Sequence, residues 1–262
     1  MRNLEKVHFT MLRDYIISLS KSGLSMRSIN RKCSALKSLY TYFQKIGIIE
    51  VHPFAKHKAV KAKKAFITPF SVAELNTVLE QIDRTDFASL RDATAIELLY
   101  GTGIRQSELI ELKTSDIDWA QSQMRVLGKR NKERLIPIIP ALTASLKHYL
   151  EQRNAFLGTS SNSFLLVTNK GNKTYPAFVY RLIKTYFRRV SSKISTSPHV
   201  LRHSFATHML DAGADINVVK EILGHESLAA TQEYTKVQLP KVQDAYRAVS
   251  YTHLRAHETS QH

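Results

Sequence analysis

The segment SPHVLRHSFATHML, residues 197–210, places two histidines and an arginine within five positions. Ser197 followed by Pro198 predicts the start of a helix, because serine is a preferred N-cap and proline is tolerated at the first helical position. His199 and Arg202 are three residues apart, so they share a face near the helix N-terminus. Unpaired N–H groups and the helix dipole favour an anion at that end. A phosphate site, a metal site and a polar face without a ligand all fit these residues.

A metal site is the weakest of these alternatives. His199 and His203 have a spacing of four residues, which also occurs in helical zinc sites, but Val200 stands where a zinc protease carries its glutamate. Arg202 on the same face would repel a cation. The residues favour a phosphate over a metal, and the polar face without a ligand stays open at this point.

The charge of the chain is high and uneven. The 262 residues carry a formal net charge of +16, and residues 1–70 hold 14 Lys and Arg against 3 Asp and Glu. Such a segment predicts a polyanionic partner, either nucleic acid or an anionic membrane surface, although a solvated basic surface has the same composition. The single cysteine, Cys33, fits a reducing, cytoplasmic compartment. We expect no signal peptide, because the first 19 residues, MRNLEKVHFTMLRDYIISL, contain early acidic residues and no uninterrupted apolar core. We expect no membrane span, because the sequence shows no run of about 18 apolar residues.

Hydrophobic periodicity predicts a mostly helical chain with one short hairpin. The helix at 25–46 has an apolar face and a basic, polar face that suits either DNA or solvent. The lysine-rich segment 52–70 predicts an interdomain linker. Ser71 and Glu74 form a capping box, and Trp119 is expected in the core. Further helices are predicted at 7–21, 71–82, 87–100, 105–112, 140–155, 176–193, 198–211, 216–223, 227–234 and 240–248, and strands at 123–128, 134–139 and 163–167.

Three further segments contain residues suited to phosphate chemistry. They are LYGTGIRQSELIEL at 99–112, VLGKRNKERLIPI at 126–138 and VVKEILGHESLAATQEYT at 218–235. Their candidate residues are Arg105 after a glycine turn, Lys129 between two strands, His225 after another glycine, and Tyr234.

In order and surroundings these residues resemble the motif of the tyrosine recombinases, and within that family the Xer-like branch. The motif runs arginine, lysine, His-x-x-Arg, histidine, tyrosine, and the resemblance covers about residues 5–248. The residues that match it are Arg105, Lys129, His199, Arg202, His225 and Tyr234.

The resemblance implies a phosphodiester substrate and gives each residue a role. Arg105 and Arg202 would hold the non-bridging oxygens through their planar sets of donors. His199 and His225 would add donors or move the proton of the nucleophile, which is Tyr234. Forming a tyrosine phenolate at neutral pH costs about 4 kcal/mol, because the ordinary pKa lies near 10. A guanidinium and an imidazole acting as base would offset that cost.

Lys129 would protonate the leaving oxygen, with Lys132 as the competing candidate, and Glu108 would support the helix of Arg105. His203 and His208 are expected to be structural or to support the residues that contact the phosphate. No metal, ATP or cofactor is implied.

The implied function is site-specific DNA recombination through a 3′-phosphotyrosyl intermediate and a Holliday junction, in chromosome dimer resolution or in the integration and excision of mobile elements. The implied partners are double-stranded DNA and a homo-tetramer, or a hetero-tetramer with a second recombinase, on paired DNA sites, with no membrane. Type IB topoisomerase-like strand relaxation and a catalytically silent DNA-binding protein of the same fold remain the alternatives.

The implied fold is mainly α (α+β), with a helical DNA-clamping domain and a mostly helical catalytic domain that contains a small antiparallel sheet. We expect a partial core-binding domain at 1–52, a basic linker at 53–70, the catalytic domain at 71–249, and a disordered or artefactual tail at 250–262. The first helix of the family has no counterpart here, so we expect a chain that is truncated at its N-terminus.

Overall fold

The computed structural model describes residues 7–61, 67–128, 131–159, 162–191 and 196–224. The chain falls into two compact units that divide after residue 66. The predicted fold class is confirmed, because both units are built of helices and the second adds a small antiparallel sheet. Within the described residues, no helix has the length and apolar character needed to cross a membrane.

The first unit contains two helices at the predicted positions, α1 (Phe9–Lys21) and α2 (Met26–Lys45). Ser25 caps α2 by accepting a hydrogen bond from the backbone N–H three residues later. The apolar faces of the two helices enclose a small core. Its buried members are Leu12, Ile29, Cys33, Tyr40, Ile49 and Phe54. Phe54 belongs to the predicted linker, so the first part of that segment contributes to the core of this unit.

The polar face of α2 is partly used inside the protein. The side-chain amide of Asn30 donates to the carbonyl of Val60 at 2.7 Å and accepts from the N–H of Val60 at 3.0 Å. Asn30 therefore fixes the chain that follows α2. Arg27 and Arg31 on the same face are exposed.

The second unit opens with α3 (Val72–Glu80), and its predicted capping box is present. The hydroxyl of Ser71 accepts from the N–H of Glu74 at 3.2 Å, while the Glu74 carboxylate accepts from the N–H of Ser71 at 2.7 Å. The other helices of this unit are α4 (Phe87–Thr102), α5 (Gln106–Glu111), α6 (Pro140–Leu157), α7 (Pro176–Val190), α8 (Pro198–Asp211) and α9 (Ile216–Ile222). Since α4 is buried along most of its length and packs against α6, α7 and α8, it is the central helix of the unit.

The sheet consists of β1 (Ile117–Asp118), β2 (Gln123–Leu127) and β3 (Glu133–Pro137), antiparallel and in that order. The strands predicted at 123–128 and 134–139 are confirmed as β2 and β3. The strand predicted at 163–167 is wrong, because in the described structure that segment makes isolated bridges and the third strand is β1. Its apolar run is buried, and a short buried run does not by itself distinguish a strand from a packed loop.

The prediction that Trp119 belongs to the core is also wrong. Trp119 follows β1 in a turn and is 36% exposed. The ammonium group of Lys147 lies 5.8 Å from the centroid of its ring. The turn directs the indole away from the core, and the lysine covers one of its faces.

Candidate active site

A glycine turn joins α4 to α5 and brings the start of α5 against two other helices. Gly103 has a φ of 61°, and its N–H donates to the carbonyl of Leu99. A Cβ at this position would lie 2.4 Å from Cδ1 of Phe205, on α8, and 2.9 Å from Cδ2 of Leu223, after α9. The positive φ and the close approach both require glycine. The turn thereby brings Arg105, the next residue but one, to the junction of α8 and α9.

Glu108 is a buried carboxylate at this junction. Its Oε2 accepts from the backbone N–H of Arg105 at 2.7 Å, and its Oε1 accepts from Nη1 of Arg105 at 2.8 Å. Arg134, on β3, donates from Nη1 to Oε1 at 2.9 Å and from Nη2 to Oε2 at 2.8 Å. The two oxygens thus accept four hydrogen bonds, which matches the capacity of an ionised carboxylate. The prediction that Glu108 supports the helix of Arg105 is confirmed.

Glu108 is ionised despite its burial. Its side chain is 4% exposed, and desolvation by itself would raise the pKa. The hydrogen bonds from Arg134 and Arg105, together with the charge of Arg134, outweigh desolvation and lower the pKa of Glu108 from 4.5 to about 2. One negative charge is therefore shared between two guanidinium groups at neutral pH.

The two arginines of the predicted motif reach the same stretch of backbone. Nη2 of Arg105 donates to the carbonyl of Gly224 at 3.1 Å, and Nη2 of Arg202 donates to the carbonyl of Leu223. Nη1 of Arg202 donates to the carbonyl of Gly103. The structure therefore brings Arg105 and Arg202 together at the end of α9.

Positive charge is in excess among the described residues of this site. The guanidinium groups of Arg105 and Arg134 are bonded to the carboxylate of Glu108, and that of Arg202 is close enough to interact electrostatically with all three. Burial lowers the pKa of Arg202 to about 10, and the charges of Arg105 and Arg134 act in the same direction while Glu108 opposes them. Arg202 still carries its proton at neutral pH. An anion such as a phosphate diester is the ligand that would balance this excess.

His199 lies on α8 in the turn before Arg202, as the sequence predicts, and its side chain is exposed. Ser197 and Pro198 occupy the predicted N-cap and first helical positions, but the Ser197 hydroxyl forms no capping hydrogen bond in the described structure. The ring of His208 is hydrogen-bonded to the buried Tyr100 hydroxyl at 2.8 Å, which agrees with its predicted structural role. In the described part of the chain, no group of three or more His, Cys, Asp and Glu residues is placed to hold a metal ion.

Lys129, His225 and Tyr234 lie outside the described residues. The residues that precede the first two are described. The N–H of Gly128 donates to the carbonyl of Lys132 at 2.8 Å and closes the hairpin turn.

Comparison with known proteins identifies the family. Residues 65–239 match the phage integrase family. The chain is 35% identical over 249 residues to the tyrosine recombinase XerC of Oceanobacillus iheyensis, which covers 94% of this chain and 82% of that protein. The chain belongs to the phage integrase family of tyrosine recombinases. It is thus an enzyme of site-specific DNA recombination. The recombinase is also 32% identical to XerC of Staphylococcus aureus, with coverage of 93% of this chain and 81% of the relative.

Solved structures share the fold of this recombinase. The pre-cleavage complex of the XerH site-specific recombinase with its difH substrate superposes with a TM-score of 0.67 at 22% identity, covering 92% of this chain and 71% of that one. The Tn1549 transposon integrase in complex with circular intermediate DNA gives a TM-score of 0.66 at 21% identity, covering 90% and 84%.

Arg134 is the residue of this site that the sequence analysis missed. The available signal was the alternation along β3, because Ile136 is fully buried and residues two apart on a strand face the same side. A charged side chain on the buried face of a strand requires an opposite charge, since unpaired burial is costly. In the recombinase that charge is Glu108.

The start of α7 lies beside Gln106, the residue that follows Arg105, and presents a cationic, aromatic surface. The side-chain amide of Gln106 donates to the carbonyl of Pro176 at 2.5 Å, which joins α5 to α7. The Arg181 guanidinium lies 5.6 Å from the ring centroid of Tyr175 and donates to its hydroxyl at 2.8 Å. Exposed cations combined with exposed aromatic rings are typical of surfaces that contact nucleic acid.

Proposed function

We propose that this recombinase cleaves and rejoins double-stranded DNA through a 3′-phosphotyrosyl intermediate at Tyr234. The observation that carries the proposal is the convergence of Arg105 and Arg202 on the backbone that directly precedes His225. Two guanidinium groups with insufficient counter-charge form a site for one phosphate diester. The remaining groups are the side chains of the other four motif residues, which follow one another along the chain in the order of the motif.

The first step transfers the phosphoryl group from DNA to the protein. The phenolic oxygen of Tyr234 attacks phosphorus while His199 or His225 takes its proton. The bond to the 5′-oxygen breaks, and Lys129 gives that oxygen a proton. Arg105 and Arg202 stabilise the charge that develops on the non-bridging oxygens, which is the largest contribution available in such a reaction. The side chain of Arg105 is 23% exposed, so its guanidinium is accessible to a ligand.

The second step reverses the first with a new nucleophile. A 5′-hydroxyl from the second duplex gives its proton to Lys129 and attacks the phosphotyrosyl link. The Tyr234 oxygen leaves with the proton that the histidine took in the first step. His199 and His225 add donors to the phosphate or move the proton at Tyr234. Because the energy of the phosphodiester is kept in the protein link, the exchange needs neither ATP nor a metal ion.

We propose that the DNA partner is held by both units and that four protomers act on two paired sites, with this chain alone or together with a second recombinase. Exposed Arg27 and Arg31 of α2 and the cationic surface of α7 support a DNA partner. The role of the 1–52 segment is then to clamp the duplex. Access to DNA implies a cytoplasmic location.

A nicked suicide site tests the proposal. Incubation with the wild-type protein should give a covalent protein–DNA adduct on a denaturing gel, with and without excess EDTA. Tyr234→Phe should bind the site and form no adduct, because it lacks the nucleophilic oxygen. Tyr251→Phe, in the segment 250–262 that the resemblance does not cover, is the matched control and should form the adduct at the wild-type rate.

Three results separate the alternatives. An adduct that persists in Tyr234→Phe contradicts the assignment of the nucleophile. Loss of cleavage in EDTA with recovery in zinc or magnesium contradicts the metal-free mechanism. Rejoining of the cut strand alone, with no exchange between two supplied sites, favours a relaxation activity like that of type IB topoisomerases.

A further inference from the structure

We propose that Arg134 is a positioning residue of this recombinase, which fixes Arg105 through Glu108 and fixes the backbone before His225. The inference rests on the proposed function, because it assigns Arg134 to the geometry of the same cleavage step. Arg134 is not one of the six motif residues.

The link from Arg134 to Arg105 runs through one carboxylate. Arg134 donates to both oxygens of Glu108, at 2.9 and 2.8 Å, in the two-bond arrangement that suits a guanidinium and a carboxylate. Glu108 uses the same oxygens to hold the backbone N–H and Nη1 of Arg105. Without Arg134, the carboxylate would be held from one side only, and the rotamer of Arg105 would be less restricted.

A second link joins Arg134 to the segment after α9. Nε of Arg134 donates to the carbonyl of Ile222 at 2.7 Å. A Cβ on Gly224 would lie 3.2 Å from Nη1 of Arg134, so the backbone at Gly224 packs directly against the guanidinium. Gly224 is followed in the sequence by His225.

A third contact involves the hairpin turn. A Cβ on Gly128 would lie 3.5 Å from Nη1 of Arg134 and 3.8 Å from Oε1 of Glu108. Gly128 immediately precedes Lys129. The Arg134 guanidinium therefore lies where three segments meet. Each of these segments carries or directly precedes a motif residue, namely Arg105, Lys129 or His225.

Arg134 is poorly placed to contact DNA itself. Its side chain is 10% exposed, compared with 23% for Arg105. Its three nitrogens all donate to Glu108 or Ile222. These contacts make it a residue that acts on the phosphate through its neighbours.

The test measures DNA affinity and cleavage separately. Arg134→Gln should bind the intact site with a Kd within about twofold of wild type and form the Tyr234 adduct about 100-fold more slowly at saturating protein, since small displacements of a catalytic group have effects of that size. Arg134→Lys keeps the charge but loses the paired donors. It should restore part of the rate.

A double-variant cycle shows whether Arg134 acts through Glu108. The adduct rates of Arg134→Gln, Glu108→Gln and the double variant are compared. In the Glu108→Gln background, Arg134→Gln should slow adduct formation by a much smaller factor than it does in the wild type. Losses that simply multiply would contradict the proposed route.

Arg153→Gln is the matched control for a purely structural effect. Arg153 is 3% exposed, lies on α6 of the same unit, and donates to the backbone carbonyls of Asn162 and Phe164. Its loss should lower thermal stability without changing the adduct rate of the folded protein. If Arg153→Gln slows the reaction as much as Arg134→Gln, the positioning role is wrong.

The remaining outcomes separate this proposal from the proposed function. A wild-type adduct with an unchanged rate in Arg134→Gln overturns the role of Arg134 alone. A wild-type protein that forms no Tyr234 adduct overturns both, since no cleavage step remains for Arg134 to support.

Discussion

Glu108 is the residue on which the electrostatics of the site depend most, because both of its oxygens are bonded to guanidinium groups. A neutral side chain at this position would leave three cations near one another without a counter-charge. Removal of one partner from a buried ion pair destabilises a protein more than replacement of both partners does, because the remaining charge stays desolvated and unpaired.

The ionisation of Glu108 makes stability depend on pH in a defined window. Its pKa is lower in the folded protein, about 2, than the ordinary value of 4.5. The resulting stabilisation is fully present above that ordinary value and is lost as the pH falls towards the folded pKa. The shift corresponds to about 3 kcal/mol. The difference in unfolding free energy between the wild type and Glu108→Gln should be constant from about pH 7 to about pH 5 and shrink below.

Urea unfolding across this pH range provides the measurement. Glu111→Gln is the control on the same helix, because Glu111 is 62% exposed and forms a surface ion pair with Lys173. Its effect should be small at every pH. A difference for Glu108→Gln that does not change with pH would contradict the depressed pKa.

At the scale of secondary structure, the glycine turn between α4 and α5 sets the position of Arg105. Gly103→Ala should destabilise the protein by about 2 to 4 kcal/mol. A non-glycine residue in the left-handed region costs about 1 to 2 kcal/mol, and overpacking against Phe205 and Leu223 adds a similar amount. Urea unfolding measures the loss.

Gly213→Ala separates the two contributions. Gly213 has a φ of 86°, and a Cβ there would meet nothing within 4 Å. Gly213→Ala should therefore cost only the backbone part, about 1 to 2 kcal/mol. Equal losses of stability in the two variants would show that overpacking against Phe205 and Leu223 does not contribute to the effect of Gly103→Ala.

The described helices were predictable from local signals, while the helices predicted at 227–234 and 240–248 lie outside the described residues. Ser71 with Glu74 marks the start of α3, apolar spacing marks α2, and a largely apolar run marks α4. The two-residue strand β1 was not predictable, since two residues cannot establish a period of two. The apolar run at 163–167 predicts a strand wrongly, because a strand buried on both faces also lacks alternation and cannot be told from a buried loop.

Within the described part of the site, the sequence predicts Arg105, Arg202 and the supporting Glu108. Their order in the sequence and their spacing from glycine and histidine carry these predictions. Arg134 belongs to no such motif, and the alternation along β3 indicates only that its side chain needs a partner. That partner is a carboxylate 26 residues earlier, which only the packing of β3 against α5 brings near. The sequence shows the charged residues, but it does not show which of them form a long-range ion pair.

At the scale of the whole molecule, the excess of Lys and Arg over Asp and Glu predicts many contacts with DNA phosphates. Each such contact adds to the salt dependence of DNA binding. Arg31 is exposed on α2 and is expected to contact a phosphate. Arg31→Ala should reduce the slope of log K against log salt by about 0.9, because one fewer counterion is released. Fluorescence anisotropy with a labelled site at several salt concentrations measures the slope.

Lys147→Ala is the control for a change of net charge alone. Lys147 is exposed, and its ammonium group lies beside the ring of Trp119. Its removal should leave the slope unchanged, because counterion release counts phosphate contacts and not total charge. A slope that falls equally in both variants would contradict a specific contact of Arg31.

The excess of guanidinium groups around Glu108 also has a thermodynamic consequence. The fold holds Arg105, Arg134 and Arg202 near one another against their mutual repulsion, and one carboxylate does not cancel three positive charges. A phosphate diester between Arg105 and Arg202 would relieve part of that repulsion, so ligand and folded state stabilise each other. Part of the affinity for DNA then comes from the relief of electrostatic repulsion that is already present in the unliganded protein. Buffer anions that bind the same site should likewise raise the free energy of unfolding.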